Sequence, residues 1–285
     1  MILRGDFGNQ LFQYAVGRRL ALQHDTDLVL NVSNRLSIGD WRGAKLINKL
    51  SYLNLKAQFQ YWPPLITRLW HKLHLSRLLN VGTYFPEKQW GYDPDVLALP
   101  DHTYLYGYFQ SEQYFRGIAP IIQADLYLDL VPISNTASAV LMKIKNSESV
   151  SIHVRRGDFL QMPDYQVCSQ TYYANAIAFI RQRLEQPHFF VFSDDPGWCK
   201  ANLHFDNTTF VTLPPSCPQP IYDFWLMQQC QHNIIANSTF SWWAAWLNCN
   251  PNKMVIAPNR WSRREPLNQL ALKHTLPTEW IRVAV

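Results

Sequence analysis

The chain has 285 residues, a net charge of +5, 47% apolar residues and only 16% charged ones. So little charge beside so much apolar material excludes a disordered chain, and the mild basic excess lacks the dense stripe of a nucleic-acid binder. It favours a small anionic ligand or an acidic surface without requiring either.

In chain order, "MILRG" leaves room for only a very short first strand, and "GNQLFQYAVGRRLALQH" then predicts a long helix with Leu11, Tyr14, Ala15, Leu20 and Leu22 available for packing. "DLVLNV" predicts the next strand. Residues 60–79 set Leu65, Leu69 and Leu73 against Arg68, Lys72 and Arg77, a pattern for a core-facing amphipathic helix in preference to one lying on a membrane. Residues 100–115 predict a strand followed by a helix. The polar stretch Asn146–Ser149 marks the expected junction between α/β halves at 1–147 and 148–285.

The second half alternates Val150, Ile152 and Val154 with Ser149, Ser151 and His153, a strand pattern. A helix is predicted over 171–186, ending before Pro187, and strands over 188–195 ("HFFVFSDD") and 208–213 ("TTFVTL"). "YDFWLMQQCQH" reads as a helix, "NIIAN" as a strand, "FSWWAAWLN" as a helix and "KMVIAP" as a fifth and closing strand. Short apolar strands alternating with helices imply a parallel sheet covered on both faces. The five cysteines follow no metal-ligand spacing, which predicts reduced thiols. With no signal-like start and no run of about 18 apolar residues, the expectation is a soluble, cytoplasmic protein.

In such a sheet, ligands sit beyond the carboxyl ends of the strands, where helix amino termini present free N–H groups. Three polar clusters fall there. In "HVRRGD", alternation puts His153 and Arg155 on one side and Val154 and Arg156 on the other. An arginine at a strand end can clamp phosphate in a bidentate fork, or pair structurally with Asp158. In "ANSTFS", Ser238, Thr239 and Ser241 suit either an anion site or plain helix capping. Asp194 and Asp195 suit a sugar or base contact, or again a cap; no further oxygen ligands stand near them in sequence, so a metal is discounted. "GDFGNQLFQYA" lacks the spacings of dinucleotide and P-loop motifs, which leaves Asn9 and Gln10 to hydrogen-bond a sugar, or Asn9 to cap the helix.

The segments "GNQLFQYA", "GYFQSEQYF", "VSIHVRRGD", "FFVFSDD" and "HNIIANSTFSWWAAWLN" resemble, in order and spacing, the bacterial α-1,2-fucosyltransferases of glycosyltransferase family 11. The resemblance spans nearly the whole chain and is loosest at about residues 35–95. It implies a GT-B-like α/β fold of two Rossmann-like domains facing a central cleft, with an acceptor-side amino domain and a GDP-fucose-binding carboxyl domain. The implied reaction moves L-fucose from GDP-β-L-fucose to the 2-hydroxyl of a terminal β-galactoside, with inversion and without a metal or other cofactor.

On matching positions, the resemblance implies that Arg155 holds the β-phosphate, that His153 and one of Asp194 and Asp195 bind guanosine, and that Ser238, Thr239 and Ser241 hold the diphosphate. Arg156, Asn237 and Phe240 complete the donor set. Asn9, with Gln10 and Phe7, would face the fucose and the acceptor. Asp158 and His153 are the candidates to take the acceptor proton. The alternatives are another acceptor or linkage, a sugar-nucleotide hydrolase, or a non-catalytic nucleotide- or glycan-binding module. The expected partners are GDP-fucose and a β-galactoside oligosaccharide, with no nucleic acid; peripheral contact with the inner membrane face stays open through residues 60–79. One departure stands out: the family turn is usually Gly-Gly-Leu-Gly-Asn-Gln, and here it is Gly5-Asp6-Phe7-Gly8-Asn9-Gln10.

Overall fold

Hydrogen bonds of the first three residues organise the amino-terminal sheet. In the computed structural model, which describes residues 1–32, 49–60, 82–130 and 134–285, Met1 O accepts from Asn31 N at 2.8 Å and Leu3 N donates to Asn31 O at 2.9 Å. On the other side, Ile2 N donates to Leu105 O at 3.0 Å. The short stretch Met1–Leu3 therefore links two parallel pairs, β1 (Val29–Asn31) with β2 (Gln58–Gln60) and β3 (Thr83–Pro86) with β4 (Thr103–Tyr106). The helix expected within 60–79 lies outside the described residues, apart from Gln60, which closes β2.

Helix α1 (Phe7–His24) begins just after a turn at Gly5. That position needs glycine twice over: its φ is +66°, and an added Cβ would lie 2.3 Å from Asn9 Nδ2. Phe7, Leu11, Phe12, Tyr14 and Ala15 are buried. Tyr14 donates to Asp125 Oδ2 at 2.7 Å, and Arg18 Nε reaches the same oxygen at 2.9 Å, tying α1 to α2 (Ala119–Asp125). The helix expected directly after β4 is replaced by two 3₁₀ turns, Glu112–Tyr114 and Arg116–Ile118, before α2. Gly117 and Pro120 there break any longer helical run.

Contacts divide the chain into two compact units, Met1–Leu128 and Asp129–Val285. The division falls earlier than the junction expected near Asn146–Ser149, because α3 (Asn135–Lys145) belongs to the second unit. Lys143 Nζ donates to Thr209 Oγ1 at 2.8 Å, and Lys145 Nζ to Gln229 Oε1 at 3.0 Å, both within that unit.

The second unit then runs β5 (Glu148–Val154), α4 (Gln170–Arg181), β6 (Pro187–Ser193), α5 (Pro196–Asn202), β7 (Thr208–Phe210) and α6 (Ile221–Gln229). It continues with β8 (His232–Ile234), α7 (Thr239–Trp246), β9 (Val255–Pro258), α8 (Glu265–His274) and β10 (Ile281–Val283). All pairs are parallel, in the order β10-β9-β8-β5-β6-β7. The expected fifth strand is thus not the last. The edge strand β10 has three residues with Arg282 at its centre, too short and too polar to show as an apolar run.

Both faces of this sheet are covered, as the strand composition predicts. Val150, Ile152 and Val154 pack with Tyr172, Tyr173 and Ile177 of α4 and Cys199 of α5. On the opposite face Asn233 Nδ2 donates to Ser151 Oγ at 2.7 Å and to Met227 O of α6 at 2.9 Å. All five cysteines are free, and no helix among the described residues is long and apolar enough to cross a membrane.

Candidate active site

The order β10-β9-β8-β5-β6-β7 reverses direction between β5 and β8. A crevice opens at such a switch point, beyond the carboxyl ends of the two strands, and that is where open α/β sheets take ligands. "HVRRGD" ends β5 and "ANSTFS" comes directly after β8, so two of the sequence clusters flank the switch. The third, Asp194–Asp195, ends β6 on the other side of β5.

Arg155 is gripped by two carboxylates, Asp158 Oδ1 at 2.7 Å and Asp194 Oδ2 at 2.8 Å. The ion-pair alternative is therefore realised, without disqualifying a ligand role: a quarter of the guanidinium side chain stays exposed, and its fork is fixed in place. Arg156, just beyond the end of β5, pairs with a different carboxylate. Its Nε meets Asp195 Oδ2 at 3.1 Å, and its guanidinium stacks 3.9 Å over Trp198. Asp195 also caps α5 through Trp198 N at 3.0 Å, and that amide bond, with Arg156, holds its carboxyl below the usual range. Asp194 accepts the amide of Arg156 at 2.9 Å.

His153 is 4% exposed, with its ring 5.4 Å from that of Phe240. Burial, helped by Arg155, pushes its pKa down to about 3, so the imidazole is neutral at physiological pH. Its Nδ1 is buried and has no hydrogen-bond partner. Phe240 also meets Phe224 at 5.2 Å, which brings the first turn of α6 into the same neighbourhood. There Asp223 has a buried oxygen, Oδ1, with no hydrogen bond, and burial raises its pKa to about 7. Asp223 escaped the sequence reading because a lone acid in a helix's first turn looks like a favourable dipole partner. Buried polar atoms without partners are what a bound ligand can satisfy.

At the start of α7, Ser238 is the N-cap, its Oγ accepting from Phe240 N at 3.3 Å. Ser241 is buried, donating to Ala236 O and Ser238 O, so its hydroxyl shapes the turn. Thr239 is half-buried at the first helical position. Asn237 is committed to holding loops, donating to Tyr165 O and Trp261 O at 2.9 Å each. A cavity of about 430 Å³ at the same sheet edge is lined by Arg155, Arg156, Trp198, Asn237, Arg260 and Arg263. No group of three His, Cys, Asp or Glu among the described residues has metal-holding geometry.

In the first unit, Asn9 lies in the first turn of α1, half-buried, and accepts from Gln110 Nε2 at 2.6 Å. Gln10 is 1% exposed, donates weakly to Gly5 O at 3.4 Å and leaves its Oε1 without a partner. Phe7, also 1% exposed, belongs to the core. Asp6 occupies the N-cap position of α1 yet makes no capping bond, and its side chain is exposed. Arg4 lies over the rings of Tyr106 at 4.3 Å and Tyr108 at 5.1 Å. Amides, a carboxylate and tyrosine rings thus share one sheet edge, a surface suited to a polyhydroxylated ligand.

The fold is the GT-B-type α/β fold, which the chain shares with the crystal structure of fucosyltransferase NodZ from Bradyrhizobium: TM-score 0.51, 15% identity, 85% of this chain and 90% of that one. The model of glycosyl transferase family 11 matches residues 50–284. An α-1,2-colitosyltransferase of Escherichia coli is 30% identical over 99% of this chain and 97% of its own length. The human galactoside α-(1,2)-fucosyltransferase 1 is 38% identical over 34% of this chain and 28% of its own. The chain belongs to glycosyl transferase family 11.

Proposed function

We propose that this enzyme is an inverting, metal-independent glycosyltransferase that moves L-fucose from GDP-β-L-fucose to the 2-hydroxyl of a terminal β-galactoside. The observation that carries the reading is Arg155 fixed at the β5–β8 switch point, with the amino terminus of α7 on the facing side. As the bond from the anomeric carbon to the diphosphate oxygen breaks, negative charge grows on the diphosphate. A fixed guanidinium and the positive end of a helix stabilise that charge without reorganising, and they bind the transition state more tightly than the ground state.

His153 and Asp223 suit the nucleoside, since both hold unsatisfied buried polar atoms, His153 against Phe240 and Asp223 next in the chain to Phe224, which meets Phe240. With its basicity so reduced, His153 serves better as a neutral hydrogen-bonding group than as the proton acceptor. The sugar develops oxocarbenium character, the acceptor 2-hydroxyl attacks from the face opposite the leaving diphosphate, and its proton leaves late. Asn9, held by Gln110, orients that hydroxyl.

A second reading has support in the full-length relative named for colitose, a sugar that lacks the 3-hydroxyl of fucose. The test is a donor competition: purified protein, lactose and EDTA with equimolar GDP-fucose and GDP-colitose, and NMR of the product. An α-1,2-fucosylated trisaccharide in excess supports the first reading. Colitosylated product in excess supports the second, and free sugar without transfer would remove both.

A further inference from the structure

Glu87 comes directly after β3 and sits beside the loop that leaves β4. Its two oxygens each accept a backbone amide, Oε2 from Tyr108 at 2.6 Å and Oε1 from Phe109 at 3.0 Å. The loop passes so close that a Cβ on Gly107 would lie 2.3 Å from Glu87 Cβ and 2.7 Å from Oε2. On its other side the loop is fixed by Gln13, fully buried, whose Nε2 donates to Gly107 O at 2.8 Å and whose Oε1 accepts from Arg4 N at 2.9 Å. Between these anchors Phe109 adopts φ +53°, a left-handed conformation that a bulky residue takes only when its surroundings impose it. The next residue, Gln110, is the one that donates to Asn9.

We propose that Glu87 is a positioning residue for the acceptor: its carboxylate holds the Gly107–Phe109 turn, which sets Gln110 against Asn9 and so fixes the amide that meets the sugar hydroxyl. This rests on the acceptor role given to Asn9 above. The carboxylate works through backbone it never leaves and touches no reacting atom. Its environment is costly to the charged form, since burial raises its pKa despite the two amide bonds and nearby Arg4. A partly desolvated carboxylate held for two backbone amides points to a turn whose geometry matters.

The test is steady-state kinetics with GDP-fucose and lactose on the wild type, Glu87→Gln, Asn9→Ala and the double variant, with GDP binding measured by calorimetry. Glu87→Gln keeps one amide acceptor and loses the other. It should raise the lactose KM about ten- to hundredfold, the scale of a misplaced contact, and leave the GDP Kd unchanged. The loss in the double variant should match that of Asn9→Ala alone, as expected for residues acting in one chain. In the wild type the lactose KM should climb as pH falls into the range where Glu87 protonates, and that climb should vanish in Glu87→Gln.

An unchanged lactose KM, additive losses, or an equal loss of GDP affinity would each overturn the proposal. Should Glu87→Gln fail to fold, Gln110→Ala removes the last link alone and must show the same KM effect and the same non-additivity with Asn9→Ala. If the wild type transfers nothing, the functional reading fails by itself. Amide exchange then decides for Glu87: faster exchange in Glu87→Gln at residues 107–111 and in the first turn of α1 supports the linkage, and unchanged exchange in α1 removes it.

Discussion

Arg155 Nη1 lies 2.8 Å from Asp194 Oδ2, while the other oxygen of that carboxylate accepts the amide of Arg156 at 2.9 Å. Asp194 therefore ties the end of β6 to the end of β5 through both side chain and backbone. Gly157 passes so close that a Cβ there would lie 2.7 Å from Asp194 Oδ2. The fork of Arg155 is aimed before any ligand arrives, which is the condition for low reorganisation cost during bond breaking.

From this, Arg155→Ala should lose on the order of a thousandfold in kcat, about 3–4 kcal/mol of transition-state stabilisation, with the circular dichroism spectrum retained. Arg155→Lys should recover little, because an ammonium keeps the charge but not the planar fork. Asp194→Asn should be milder in kcat and should loosen the arginine's orientation. Kinetics of the three variants rank them.

The two buried titratable groups His153 and Asp223 predict opposite pH effects on stability. His153 has its folded pKa lowered from 6.5 to about 3, so the unfolded chain binds the extra proton and stability falls as pH drops from 6.5 towards 3. Asp223 has its pKa raised from 3.8 to about 7, so the folded chain binds the extra proton and stability falls as pH rises from 3.8 through 7. Asp223→Asn should thus raise the Tm at pH 8 and change it little at pH 4. Thermal melts of the variant at the two pH values check this, and the same variant should bind GDP more weakly if the carboxyl meets the nucleoside.

Legibility in the sequence tracked the local signals. The charge after β5 and the hydroxyls after β8 were readable because each sits on a short contiguous stretch, and a parallel sheet brings all strand ends to one edge. Glu87, Gln110 and Asp223 carry no such signal: Glu87 gains its meaning from the distant amides of Tyr108 and Phe109, Gln110 from the Asn9 side chain, and Asp223 from burial. Short strands such as β3 and β10 gain their pairing from neighbours rather than from their own composition. Phe7 illustrates the reverse, a motif residue that the helix turns into the core.

In the first unit, Asp125 accepts from both Tyr14 and Arg18 in a buried setting. Arg18→Met would leave that carboxylate with the phenol alone and should cost about 3 kcal/mol. Tyr14→Phe removes a hydrogen bond of the same group and should cost about 1–2 kcal/mol. Urea titrations give both values, and GDP binding should survive in each folded variant.

Asp6 makes no capping bond and is exposed at the start of α1, where the related turn usually carries glycine. Asp6→Gly should widen acceptor choice, read as a flatter distribution of rates over a panel of β-galactosides, with GDP affinity unchanged. A distribution identical to the wild type would remove Asp6 from acceptor selection.

The most direct measurement is a crystal structure of the protein with bound GDP. It should place the β-phosphate within hydrogen-bonding distance of Arg155 and of the backbone at the start of α7, with guanosine meeting His153. Phosphorus atoms remote from both Arg155 and the start of α7 would contradict the central claim.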